Sequence, residues 1–144
     1  MTDEAQPVAQ ADCRLLQPAG WPRPRGYANG ILADGRLIVL AGQVGVDLRG
    51  RFADGLPAQV GQALANVAAL LAEAGAKPCH IVRLTWWVTD MPSYREQQAA
   101  IGGAYRAVFG KHFPAMSVVG VSELVPREAL VEIEATAVLP HWAC

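Results

Sequence analysis

The spacing of apolar residues along the chain predicts a first helix over residues 57–74. Apolar side chains recur there at every third or fourth position, which is typical of a helix with one buried face. Pro57 suits the first helical turn, and Gly75 suits the position just past the helix end. The predicted buried stripe consists of Val60, Ala63, Leu64, Val67, Leu70, Leu71 and Ala74.

A second helix is predicted over residues 93–109. Ser93 and Glu96 have the spacing of a capping box, which predicts Ser93 as the N-cap. Gly102 and Gly103 lie inside this segment, and each costs about 1 kcal/mol of helix stability relative to alanine. We therefore expect an irregularity in this helix.

Runs of β-branched and aromatic residues predict strands over residues 81–89, 115–121 and 129–139. Because side chains alternate along a strand, the first of these has one face formed by Leu84, Trp86 and Val88. Its other face consists of Arg83, Thr85, Trp87 and Thr89.

The dipeptide Asp34-Gly35 predicts a tight turn between strands at residues 28–33 and 37–42, which would form a β-hairpin. Strands before, between and after the two helices indicate the α+β class with both helices on one face of a sheet. We expect a single domain at residues 11–140, with a flexible N-terminus at 1–10 and a short tail at 141–144.

Composition adds an expectation about assembly. Apolar residues make up 52% of the 144 positions and charged residues 17%. Either the domain has a generous core, or it hides apolar surface between subunits. A tryptophan on the sheet face away from the helices favours the second explanation.

Several classes of protein are disfavoured. The net charge of −1 makes nucleic acid an unlikely partner. No apolar run is long enough to span a membrane, no signal peptide is evident, and three scattered cysteines fit a cytoplasmic protein. The three histidines lie far apart, so no metal site is expected, and no phosphate-binding or dinucleotide motif occurs.

Three positions carry candidate chemistry. Glu132 and Glu134 share one face of the last strand, which is either a solvated face or a place where a carboxylate at a subunit interface acts as general acid and base. Ser117 is either a strand hydroxyl bonded to backbone or a nucleophile with an unidentified base. Tyr27 either belongs to the core or holds a ligand through its phenol.

Six segments in order resemble the RidA/YjgF family of reactive-intermediate deaminases, over about residues 14–139. They are Pro24-Arg25-Gly26-Tyr27, Leu40-Ala41-Gly42-Gln43-Val44, Ala63-Leu64-Ala65-Asn66-Val67, Ile81-Val82-Arg83 with Val88-Thr89-Asp90-Met91, Phe113-Pro114-Ala115, and Val131-Glu132-Ile133-Glu134-Ala135. The resemblance implies a chorismate-mutase-like sandwich that forms a homotrimer with small-molecule pockets between subunits. It also implies hydrolysis of enamines and imines to a keto acid and ammonia, without cofactor or metal.

The resemblance also assigns roles to residues. Tyr27 matches a ligand-holding tyrosine, Gly42 a glycine whose backbone meets the substrate, and Glu132 a glutamate that positions water. Ser117 follows the position of the family's substrate-binding arginine, and Trp87 matches an aromatic residue that borders the pocket.

The arginine position itself holds Met116, which departs from the family pattern. A thioether donates no hydrogen bond, whereas a guanidinium grips a carboxylate through two. A simple 2-imino acid such as 2-iminopropionate is therefore expected to be a poor substrate, unless Arg25 or Arg83 replaces the missing arginine. Three functions stay open: an imine or enamine deaminase, a non-catalytic trimeric binder or chaperone-like module, and, less favoured, an endoribonuclease.

Overall fold

The structure, a computed structural model, describes residues 13–141, which form six strands, three α-helices and one 3₁₀ turn. The predicted N-terminal segment 1–10 and residues 142–144 of the predicted tail lie outside the described residues. The elements are β1 (Cys13–Leu15), β2 (Ile31–Ala33), β3 (Arg36–Val44), α1 (Leu56–Glu73), a 3₁₀ turn (Pro78–His80), β4 (Ile81–Val88), α2 (Met91–Glu96), α3 (Gln98–Phe109), β5 (Ala115–Gly120) and β6 (Val131–Leu139).

The main sheet has the strand order β3-β6-β4-β5. β6 is antiparallel to both of its neighbours, whereas β4 and β5 are parallel. A parallel pair needs a long crossover connection, and α2 and α3 provide it. The predicted α+β class is confirmed, and the sheet is mostly antiparallel.

The core lies between one face of this sheet and the helices. Leu84, Trp86 and Val88 are buried on this face, as their alternation predicted. Burial of an aliphatic side chain of this size stabilises the fold by about 1.5–3 kcal/mol. The helical and β6 residues that complete this core are Val60, Ala63, Leu64, Val67, Leu71, Ile101, Tyr105, Phe109, Val131, Ile133, Ala135 and Ala137.

The opposite face of the sheet carries no helix, and we call it the open face. It is formed by Arg83, Thr85 and Trp87 of β4 together with Glu132 and Glu134 of β6 and their neighbours on β3 and β5. Alternation along β4 and β6 is therefore confirmed on both sides of the sheet.

The first helix is confirmed to within one residue at each end. Its first turn contains a proline, and it ends at Glu73 with Ala74 as the C-cap. Gly75 follows with a φ of +70°, the backbone conformation expected of a glycine just past a helix end.

The predicted hairpin is wrong. β2 pairs with β1 in a separate two-stranded sheet, where Leu15 lies opposite Ile31. Asp34-Gly35 instead forms the corner at which the chain passes from this small sheet to the main one. Gly35 has a φ of +143°, and a Cβ there would overlap the Leu139 carbonyl of β6. The glycine is therefore required by the close approach of β6 rather than by a two-residue hairpin turn.

The predicted start of the second helix is also wrong. Asp90, not Ser93, is the N-cap of α2, because its Oδ1 accepts a hydrogen bond of 3.0 Å from the Ser93 amide. Pro92 explains the earlier start, since proline has no N–H to donate and its fixed φ suits a first helical turn. The segment is divided at Gln97, so that α2 and α3 are separate helices.

No helix within residues 13–141 is long and apolar enough to cross a membrane.

We predict that Asp90→Ala lowers the free energy of unfolding by about 1 kcal/mol, because the amide of Ser93 loses its acceptor. Urea denaturation monitored by circular dichroism measures this change. Ser93→Ala is the matched control and is expected to cost less. A larger loss for Ser93→Ala than for Asp90→Ala would contradict the assignment of Asp90 as the cap.

Candidate active site

A cavity of about 260 Å³ lies where residues 27–29 run beside the start of β5. Ala28 forms a parallel bridge with Ala115, and its amide donates a hydrogen bond of 2.9 Å to the Pro114 carbonyl. The segment 27–29 thereby forms one wall of the cavity at the edge of the sheet. The cavity is lined by Tyr27, Ala28, Asn29, Arg83, Ala115, Met116 and Ser117.

Three of the predicted site residues meet in this cavity: Tyr27, Met116 and Ser117. Tyr27 is 41% exposed, so its phenol is not a core residue and is accessible to a ligand. Ser117 is also exposed. Met116 lies opposite Leu84 on β4 and packs against the core while it lines the cavity. The wall that Met116 provides is apolar and offers no hydrogen-bond donor.

The other three predicted residues, Gly42, Trp87 and Glu132, form a second group. Trp87 lies directly opposite Glu132 in the antiparallel pair of β4 and β6. Gly42 lies at the register shift of β3, between Leu40 and Gln43. A Cβ on Gly42 would overlap the Glu132 carboxylate, so this carboxylate rests directly against the backbone of Gly42. Only glycine permits this approach.

Two side chains of α1 hold this second group in place. Asn66 Nδ2 donates hydrogen bonds to the Val44 and Val46 carbonyls, at 3.1 Å and 2.9 Å. Gln59 is buried, and its Oε1 accepts a bond of 2.8 Å from the Leu130 amide just before β6. These bonds fix the ends of β3 and β6 against the same helix, and therefore fix Gly42 relative to Glu132.

Within one chain the two groups are separate. Ser117 lies opposite Thr85 on β4, whereas Glu132 lies opposite Trp87 from the other side of that strand. Ser117 and Glu132 are therefore two strands apart, which is about 10 Å, and are offset by two residues, which is about 7 Å along the strand. The backbone positions of Ser117 and Glu132 are therefore about 12 Å apart within one copy.

The open face also carries exposed apolar side chains. Leu37 and Val39 of β3 are 67% and 70% exposed, and Val119 of β5 is exposed as well. Thr85, in the middle of this face, is buried by its neighbours, and its hydroxyl has no hydrogen-bond partner within residues 13–141.

Sequence reasoning had named Arg83 only as an open alternative to Arg25, and it had not named Asn29. The structure brings Arg83 and Asn29 into the cavity, whereas Arg25 does not line it. Two signals were available: Arg83 lies on the open face by alternation, and Asn29 follows Tyr27 by two positions. No group of three or more His, Cys, Asp or Glu side chains in the described range is placed to hold a metal ion.

Comparison with known proteins identifies the family. The family model described as Endoribonuclease L-PSP matches residues 22–139, which is most of the chain. The chain belongs to this family, which includes the Rid and YjgF proteins. A Rid family protein from Yersinia pestis has the same fold, with a TM-score of 0.78 and 35% sequence identity over 89% of this chain and 99% of that one.

Two curated members of the Rid family are similar in sequence. The 2-iminobutanoate/2-iminopropanoate deaminase of Salmonella typhimurium is 38% identical over 108 residues, which cover 72% of this chain and 80% of that enzyme. A RutC family protein of Aquifex aeolicus is 38% identical over 119 residues, which cover 81% of this chain and 92% of that protein.

We predict that Gly42→Ala displaces the Glu132 carboxylate and lowers ligand affinity or turnover at least about tenfold, since the added Cβ occupies the space that Glu132 uses. The matched control is Gly103→Ala, where a Cβ meets nothing within 4 Å. Thermal melting and ligand titration of both variants measure the effect. Equal behaviour of the two variants would contradict a specific role for the Gly42–Glu132 contact.

Proposed function

We propose that this protein hydrolyses a reactive imine or enamine to the corresponding carbonyl compound and ammonia, without a cofactor. The observation that carries the proposal is the Glu132 carboxylate held against the Gly42 backbone on the open face. The Salmonella relative named for deamination of 2-iminobutanoate and 2-iminopropanoate supports the reaction class.

Glu132 is suited to general acid–base catalysis in this reaction. Its carboxylate accepts a proton from water while the water oxygen bonds to the imine carbon. Glu132 returns that proton to the nitrogen, which gives a neutral carbinolamine. The hydroxyl proton of the carbinolamine then passes through Glu132 to the nitrogen while the C–N bond breaks, so that ammonia and the carbonyl compound are the products. An enamine enters the same sequence after one of its N–H protons has moved to its carbon, which converts it to the imine. One water is consumed for each ammonia released, and no electrons are transferred.

A homotrimer with sites between subunits completes the proposal. The separation of the two groups of site residues and the exposed apolar side chains Leu37, Val39 and Val119 on the open face both support it, because a neighbouring copy would cover that face. Such a copy would place its own Gly42 and Glu132 near the cavity of the first. We place the protein in the cytoplasm, and we expect its partners to be copies of itself and a small molecule, with no role for a membrane or nucleic acid.

Met116 makes a 2-imino acid whose only anionic group is the α-carboxylate a poor substrate. An α-carboxylate placed against residue 116 meets a thioether and loses the charge-assisted hydrogen bonds that an arginine at this position would provide, at a cost of about 1.5–3 kcal/mol. The relatives named for such substrates therefore indicate the reaction and not the substrate of this protein.

We predict that Glu132→Gln lowers the rate of ammonia release by about 10²–10⁴-fold, the range that general acid–base catalysis contributes. Glu134→Gln is the matched control, because Glu134 is the next carboxylate on the same face of β6. The assay is ammonia release from imines generated freshly by an amino-acid oxidase, with the non-enzymatic rate subtracted.

Ligand-dependent thermal stabilisation without ammonia release from any imine would instead support the non-catalytic binder. RNA affinity that falls steeply with salt would support the endoribonuclease. Equal loss of activity in both glutamate variants would contradict the role given to Glu132.

We also predict that Met116→Arg increases kcat/KM for 2-iminopropanoate by about 10–100-fold, because it restores a charged donor to the cavity wall. Met116→Leu keeps the volume and the apolar character and is expected to change nothing. Turnover of 2-iminopropanoate by the unmodified protein at the rate of the arginine variant would show that position 116 does not select against this substrate.

A further inference from the structure

The cavity contains one charged side chain, that of Arg83. The other six lining residues are Tyr27, Ala28, Asn29, Ala115, Met116 and Ser117, none of which carries a charge at neutral pH. An arginine guanidinium keeps its positive charge at every physiological pH and donates up to five hydrogen bonds. The cavity lining therefore has a fixed positive charge and no carboxylate. Glu134 lies on the neighbouring strand β6, diagonally across from Arg83 on the open face, and forms no ion pair with it.

Arg83 is also not used by the fold. Within residues 13–141, Arg83 forms no ion pair and no side-chain hydrogen bond. The ion pair found in this range joins Arg51 and Asp47. The side chain of Arg83 is exposed on the open face of β4. A charged donor that the protein leaves unpaired beside a cavity is available to an anionic ligand.

Neutral hydrogen-bonding groups surround this charge. Tyr27 and Ser117 each have a hydroxyl, and Asn29 has a side-chain amide that is oriented by a hydrogen bond of 3.0 Å from its Nδ2 to Gln17 Oε1. The Asn29 carbonyl oxygen and the two hydroxyls can accept from or donate to polar groups of a ligand next to its anionic group. Such a set of one cation and several neutral groups is typical of a site for a small carboxylate.

The register of the sheet separates Arg83 from position 116. Arg83 lies opposite Ala115, and Leu84 lies opposite Met116. Since successive side chains of a strand point to opposite faces, the side chain of Arg83 and that of residue 116 leave the sheet on opposite sides. An anion bound by Arg83 therefore occupies a different place from an anion bound by an arginine at position 116.

We infer that Arg83 is the anion-binding residue of this cavity, and that its ligand is an imine or enamine whose carboxylate is separated from the reacting carbon by further carbon atoms. The identification of the ligand as an imine or enamine rests on the proposed function. The assignment of Arg83 as an anion site rests only on the cavity.

Binding of stable oxo acids tests the anion site without any turnover. We expect 4-oxopentanoate, which has two carbons between carbonyl and carboxylate, to bind more tightly than pyruvate, and neutral 4-oxopentanamide to bind more weakly. Calorimetric titration should show at least about a tenfold loss of 4-oxopentanoate affinity in Arg83→Gln and a smaller loss in Arg83→Lys. Affinity should also fall with added salt, because Arg83 is exposed.

Arg95→Gln is the matched control, because Arg95 is an exposed arginine on α2 and lies outside the cavity. It removes the same charge and is expected to leave binding unchanged. The inference is overturned if Arg83→Gln leaves binding unchanged, or if Arg95→Gln loses as much affinity as Arg83→Gln. It is also overturned if the oxo acid and its amide bind equally well, or if no oxo acid binds to the unmodified protein.

Turnover separates the two proposals. In the unmodified protein, the imine of 4-oxopentanoate should be hydrolysed with a KM that rises at least about tenfold in Arg83→Gln while kcat changes little, as expected for a residue that binds substrate and transition state equally. Ammonia release with a KM that does not depend on Arg83 would overturn the anion site and leave the deaminase. Oxo-acid binding that depends on Arg83, without ammonia release from any imine, would support the anion site and overturn the deaminase.

Discussion

The pairing of β6 with β3 on one side and β4 on the other is the constraint on which both the core and the candidate site depend. Because β6 is paired along both edges, its register is fixed, and a slip of one residue would turn every side chain to the wrong face. The same register that buries Val131 and Ile133 places Glu132 on the open face beside Gly42 and Trp87. The carboxylate is thus positioned by the free energy of core burial rather than by contacts of its own.

The candidate site is divided between the middle of the sheet, where the Glu132 group lies, and the edge of the sheet, where the cavity lies. The two parts therefore differ in their surroundings. The Glu132 group is supported by the amide side chains of Asn66 and Gln59 on α1, which hydrogen-bond to the backbone at the ends of β3 and β6. The cavity at β5 is built partly from a segment outside the main sheet, and it holds an unpaired cation and an apolar wall side by side. Under the proposed function, catalysis by Glu132 and substrate selection at the cavity therefore belong to different parts of the fold.

Sequence reasoning succeeded where the pattern reports directly on burial. The alternation of β4 and β6 and most of the helical stripe of α1 follow from which side chains must leave water, and they were predicted. Leu70 and Ala74, which were also placed in that stripe, are exposed. Sequence reasoning failed where two local signals competed, as at Asp90 and Ser93, where a nearby proline decided which residue caps the helix. It also failed where a distant strand was involved, since the approach of β6 to Gly35 has no local sequence signal. The presence of Arg83 in a cavity depends on the parallel register of β4 and β5, which no periodicity reveals.

The wall formed by residues 27–29 is attached to β5 through an isolated bridge at Ala28 and Ala115, whereas β6 is held by ladders along both edges. Short peripheral segments of this kind open locally at a much lower free energy than the interior of a sheet. A ligand that contacts both Tyr27 and Ser117 binds only while residues 27–29 stay paired with β5. Ligand occupancy and local opening of this wall are therefore thermodynamically linked. The rate of amide hydrogen exchange at Ala28 would then report directly on whether the cavity is filled, while the amides of β6 would exchange at a rate set by global unfolding.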